Sequence, residues 1–199
     1  MNINDMEGLD EETQKKIEDL QKVVCKGDVK ESTRAKLDIG IALAQNNDIK
    51  NALSVWSSIK RADDPNTYAY AKLNMGIALL QRNNVKGALS EWNNIERADN
   101  PNAYAQAQLN IGVALEREGD SKGALLSWSN ISHADDSEIY SQAQFNIGIE
   151  LYKNNTKEKG LSVLKDIKSL DNSKVYAKVQ YIVGLELKAE GNFERALKS

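Results

Sequence analysis

The chain has 199 residues, 41% of them hydrophobic and 28% charged, and a net charge of −3. That balance suits one or two globular domains and leaves no excess of basic residues for a nucleic-acid backbone. Two prolines, a single cysteine and no run of about 18 apolar residues argue against a long linker, an internal disulfide and a membrane span.

The start, MNINDMEGLDEETQ, lacks the basic opening and apolar stretch of a secretory signal, so the expectation is a cytoplasmic protein. Residues 1–31 form a tail and a first helix. DEETQKKIEDLQKVVCK (10–26) carries Ile17, Leu20 and Val23 at helical spacing. Glu11 and Glu12 at its start and Lys22 and Lys26 near its end suit the helix dipole.

From residue 32 the chain repeats itself. Glycines stand at 40, 76, 112, 148 and 184, each 36 after the last, and 20 of 36 positions are identical between 32–67 and 68–103. The units fall near 32–67, 68–103, 104–139, 140–175 and 176–199: four full repeats and a partial fifth. Each reads as two helices. The first starts near Pro65 or Pro101, with Asp64 or Asn100 as N-cap. It ends seven residues after the glycine, at Asn47, Asn83, Gly119, Asn155 and Gly191, residue types that accept a left-handed conformation. The next slot holds Asp48, Asn84, Asp120, Thr156 and Asn192, all N-cap formers. A stop followed at once by a start predicts a tight helical hairpin.

The second helix carries the stripe Leu53, Trp56 and Ile59, then Leu89, Trp92 and Ile95. The first 17-residue segment repeats this spacing one period earlier, so it reads as a lone second helix that caps the array. A glycine inside a helix costs about 1 kcal/mol against alanine. Five of them predict close approach of the paired helices, with the small Ala52, Ala88 and Ala124 facing them. Gly160, Leu164 and Ala196 continue these slots. Core packing is expected of Trp56, Trp92 and Trp128 and of Tyr68, Tyr104, Tyr140 and Tyr176.

Catalytic constellations are not evident. His133 is the only histidine and stands in the slot of Arg61 and Arg97, where a polar group favours a helix C-terminus. Cys25 reads as a partly buried, inert thiol. Asp63/Asp64 and Asp135/Asp136 read as loop caps rather than calcium ligands. The expectation is therefore no enzyme, no metal and no cofactor. Lys50, Lys60 and Arg61 mix with Glu91, Glu96 and Asp99, so no face of one sign is expected.

The stretch AQAQLNIGVALEREGDSKGALLSW resembles the tetratricopeptide repeat (TPR) family, in its N-L-G core, G-D turn and later alanine and aromatic. Sel1-like repeats are similar, but usually insert about four residues between the helices. The resemblance covers about 32–199, with departures: units of 36 residues rather than about 34, and Lys36, Lys72, Gln108, Gln144 and Gln180 in the slot of the family's early tryptophan. It implies an all-α, right-handed α-solenoid whose first helices line a concave face. The chain stops at Ser199, less than two turns into the fifth unit's second helix, which suggests a fragment of a longer protein.

The family's groove slots map onto Arg34, Tyr70, Gln106, Gln142 and Lys178, and onto Leu37, Leu73, Leu109, Phe145 and Tyr181. They map also onto Asp38, Asn74, Asn110, Asn146 and Ile182, and onto Ile41, Ile77, Val113, Ile149 and Leu185. Two rows are apolar and one is an asparagine ladder, whose amides can both donate and accept. The resemblance thus implies a scaffold binding a protein or peptide segment, centred on the second to fourth units. The alternatives are self-assembly through the C-terminal end and a regulatory domain of a larger protein. Some TPR domains hold a C-terminal carboxylate with Lys and Asn, but here the matching slots are mostly Leu and Ile. Peptides ending in a free acidic EEVD-type sequence are therefore expected not to bind. A micromolar affinity in titration calorimetry would overturn that expectation.

Overall fold

The structure, a computed structural model, describes residues 9–154 and 156–189. These residues form ten helices and no strand. They are α1 (Glu11–Lys26), α2 (Val29–Gln45), α3 (Ile49–Ser57), α4 (Pro65–Gln81), α5 (Val85–Asn93), α6 (Pro101–Arg117), α7 (Ser121–Ser129), α8 (Ser137–Lys153), α9 (Lys157–Lys165) and α10 (Ser173–Ala189). The chain divides into two compact units, 1–104 and 105–199, with the boundary inside α6. In the first, α1 packs on α2, α2 on α3 and α4, and α4 on α3 and α5. In the second, α8 packs on α7, α9 and α10, and α10 also on α9.

The long helices, α2, α4, α6, α8 and α10, have 17 residues each, and the short ones, α3, α5, α7 and α9, have nine. Both lengths follow from the punctuation. Asp28, Asp64, Asn100, Asp136 and Asn172 stand just before the long helices, and each accepts a backbone N–H of the first turn at 2.7–3.2 Å. At the other end Asn47, Asn83 and Gly119 take φ of 63°, 58° and 83°. Asp48, Asn84 and Asp120 then cap the short helices through Asn51, Gly87 and Gly123 N–H. Thr156 differs from the expectation. Its hydroxyl donates to the Leu151 carbonyl at 2.6 Å, so α9 starts without a side-chain cap. Asn155, Gly191, Asn192 and Ala196, and with them the fifth unit's second helix, lie outside the described residues.

The recurring glycine has a specific occupant. A β-carbon on Gly40, Gly76 or Gly112 would collide with the indole nitrogen of Trp56, Trp92 or Trp128. The same nitrogen donates to the carbonyl three residues before the glycine: Leu37 (3.1 Å), Leu73 (3.1 Å) and Leu109 (3.2 Å). The space is therefore taken by the indole. The facing alanines, Ala52, Ala88 and Ala124, are fully buried beside it. The fourth hairpin solves the contact differently. Leu164 replaces Trp, Gly160 replaces Ala, and a β-carbon on Gly160 would meet the Gly148 carbonyl and the Tyr152 backbone.

Polar ties supplement this contact. Lys72 Nζ reaches Glu91 at 2.6 Å across the α4–α5 hairpin. Gln108 Oε1 accepts from Asn130 at 3.2 Å in the next one.

Three further expectations change. Ile59 and Ile95 are buried but lie two residues beyond α3 and α5, on turns closed by i→i−3 bonds from their own N–H groups. In α1 the inward stripe is Ile17, Leu20 and Val24, and Val23 is 39% exposed. Cys25 is exposed, not partly buried.

Burying a tryptophan of this kind is worth about 3–5 kcal/mol against alanine, so Trp92→Ala is expected to lose that much in urea denaturation. Gly76→Ala is expected to be destabilising too, since the rigid indole must move. Asn83→Gly, at a left-handed position, is expected to stay within about 1 kcal/mol of the parent. Equal losses for Gly76→Ala and Asn83→Gly would contradict this account.

Candidate functional site

The mapped groove residues fall in both units. In the first, α4 carries Tyr70 and Asn74 half-buried, Ile77 exposed and Leu73 buried. Leu73 belongs to the core, and its carbonyl holds Trp92. A cleft of about 380 Å³ opens between α2 and α4, lined among others by Arg34, Leu37 and Tyr70. Asp64 on its wall is already engaged, accepting from Asn66 N–H and the Thr67 hydroxyl.

In the second unit Gln106, Leu109, Asn110 and Val113 of α6, and Gln142, Phe145, Asn146 and Ile149 of α8, are all half-buried. Gln106 Nε2 donates to Asn110 Oδ1 at 3.1 Å, and Gln142 Nε2 to Asn146 Oδ1 at 3.1 Å. The same i, i+4 bond thus recurs one period apart and orders both amides. In α4 the corresponding slot is Tyr70, so a Gln–Asn bond cannot form there. The apolar members also serve packing. Leu109 and Val113 lie against Trp128 and Ile147 in one core cluster. Phe145 and Ile149 lie against Val175, Val179 and Val183 of α10 in another. What α6 and α8 present is therefore a partly open apolar surface with a row of oriented amides.

The tyrosine row packs at the margin of the core, Tyr68 and Tyr140 each against a buried cluster. Tyr68, Tyr104 and Tyr140 are half-buried, and each receives a group from the preceding loop. Arg61 stands 5.0 Å from the Tyr68 ring and Arg97 4.8 Å from the Tyr104 ring. Arg61 also binds Glu96, which holds its guanidinium above the usual range, and Asp99 at 3.3 Å. His133 packs edge-on against Tyr140, with Nε2 2.9 Å from Asp171. His133 therefore ties one repeat to the next. Three of the four loop carboxylates cap, as expected: Asp64 and Asp136 for helices, and Asp135 for the Ser132 N–H of its own turn at 2.9 Å.

One ionisable cluster joins α8, α9 and α10. Lys157 and the Tyr152 hydroxyl both bind Glu186. Lys157, then Tyr152, hold the Glu186 carboxyl below its ordinary range, and the carboxylate in turn pushes Tyr152 up. Among the described residues no group of three or more His, Cys, Asp or Glu side chains could hold a metal ion. Nor is any described helix long and apolar enough to cross a membrane. No protein-family model matches the chain, and no curated protein matches it either.

The depressed Glu186 has a pH consequence. Its pKa is lower folded than unfolded, so its contribution is full above the unfolded value of about 4.3 and fades as pH falls through the folded one. Melting temperatures of Glu186→Gln and the parent are therefore expected to differ most near neutrality and to converge in acid. A gap that is constant with pH in scanning calorimetry would refute this.

Proposed function

We propose that the chain is a non-enzymatic, cytoplasmic scaffold, a TPR-like right-handed solenoid that binds a segment of a partner protein along the faces of its long helices. The observation that carries this reading is the duplicated Gln–Asn pair of α6 and α8 beside half-buried Leu109, Val113, Phe145 and Ile149. An asparagine whose oxygen is held by its neighbour keeps its N–H groups as oriented donors for a peptide carbonyl. The apolar rows alongside offer pockets to alternate side chains of the same segment. Affinity would come from a few such anchors rather than from total area. No cofactor is needed for this work.

The test is affinity capture from native extract, comparing the parent with Asn74→Ala/Asn110→Ala/Asn146→Ala, both checked for folding by circular dichroism. Truncating a hydrogen-bonding anchor typically costs a binder 1–2 kcal/mol or more, so a fall of about tenfold or greater in captured partner is expected. Equal capture by both forms would move the interaction off these faces and remove this reading.

A further inference from the structure

The loops between hairpins carry a repeated tie. An arginine stands at 61 and 97 and a histidine at 133, a tyrosine follows each seven residues later, and an aspartate recurs at 63, 99, 135 and 171. Arg61 lies 5.0 Å from the Tyr68 ring and reaches on to Asp99 of the next loop at 3.3 Å. His133 repeats both contacts inside the second unit, edge-on to the Tyr140 ring at 5.5 Å and with Nε2 2.9 Å from Asp171. Ser169 stands in the slot after it, which carries no cation.

The two ties differ chemically. A guanidinium stays charged at any accessible pH, whereas imidazole is the side chain that ordinarily gains or loses its charge between pH 5 and 8. The acceptor differs too. Asp99 and Asp135 each also accept a backbone N–H of their own turn, from Glu96 at 3.1 Å and from Ser132 at 2.9 Å. Asp171 takes no such bond, and among the described residues His133 is the one partner of its carboxylate. That side chain is only 19% exposed, so it depends on its partner more than a surface carboxylate would. The other charged groups of the two loops and of the helix ends they join are few. Asp135 and Asp136 bond the Ser132 and Ile139 N–H groups. Glu138, Lys165, Asp166, Lys168 and Lys174 are exposed and form no ion pair.

We propose that His133 is a proton-operated tie between the third and fourth hairpins. Protonated, the ring is a cation that donates from Nε2 to a half-buried carboxylate, and it holds the α7–α8 loop to the α9–α10 loop. Neutral, it offers one uncharged N–H, divided between two ring nitrogens by tautomerism, and it leaves the charge of Asp171 unmatched. The tie therefore tightens as pH falls and slackens as pH rises across the imidazole range. The His133 side chain is 57% exposed, so the effect is local. It changes how often the α9–α10 loop opens, not whether the array folds. The Arg61 tie of the first unit keeps its charge and has no such dependence.

The measurement is hydrogen exchange by mass spectrometry on the full chain from about pH 5 to 8, corrected for the chemical exchange rate at each pH. Protection of residues 166–175 in the parent is expected to fall about two- to fivefold over that range. The equivalent stretch of the first unit, 94–103, is expected to show no such fall. His133→Arg is expected to keep the acid-side protection throughout. His133→Gln, which can bond but cannot take a charge, is expected to show the alkaline-side protection throughout. Because His133 is the only histidine, its ring signals in proton NMR show the pH at which the proton leaves, and the fall in protection must coincide with it. Three outcomes would overturn the inference: parent protection that is independent of pH, the same pH dependence in His133→Gln, or a fall at a pH where the ring does not titrate. Asn74, Asn110 and Asn146 are untouched in these variants, so failure of the long-helix site described above leaves this result unaffected.

Discussion

The contact between an indole and a glycine governs the hairpins. Each of Trp56, Trp92 and Trp128 lies on the backbone of the paired long helix and donates its N–H to a carbonyl of that helix. One side chain therefore supplies a large apolar surface and a directional bond together. Burial sets the distance between the helices, and the bond sets their register. The glycine is the cost of this arrangement, about 1 kcal/mol of helix propensity, and it is smaller than what tryptophan burial returns. The tight turn follows, because two helices held so closely leave room for only a left-handed residue and a cap between them.

Most of the fold was legible in the sequence because its devices are local. The Asn or Gly stop, the Asp or Asn start and the proline at a first helical turn act within a few residues, and one chain shows them several times. Contacts between helices were less legible. The period showed that the glycine must meet something, but alanine and tryptophan both lie on the facing helix, and spacing alone cannot rank them. Thr156 reads as a cap, yet its hydroxyl finds a carbonyl five residues back. The Arg61, Arg97 and His133 slot reads as a helix end, yet its partners sit on the next repeat.

The candidate faces were legible as rows, but their double duty was not. Phe145 and Ile149 pack against α10 and remain half-open, a division that depends on how far the neighbouring helix reaches.

The three tryptophans have a consequence beyond packing. They are the only tryptophans in the chain, one in each of the first three hairpins, and all are at least 97% shielded from solvent. Two belong to the first compact unit and one to the second, while the fourth hairpin has leucine in their place. The molecule thus carries a built-in set of optical reporters, one to a hairpin, in chemically similar surroundings. Replacing any two of them leaves a single emitter that watches the opening of one hairpin. Light from such single-tryptophan forms can follow, hairpin by hairpin, the order in which the array comes apart, with the fourth position dark.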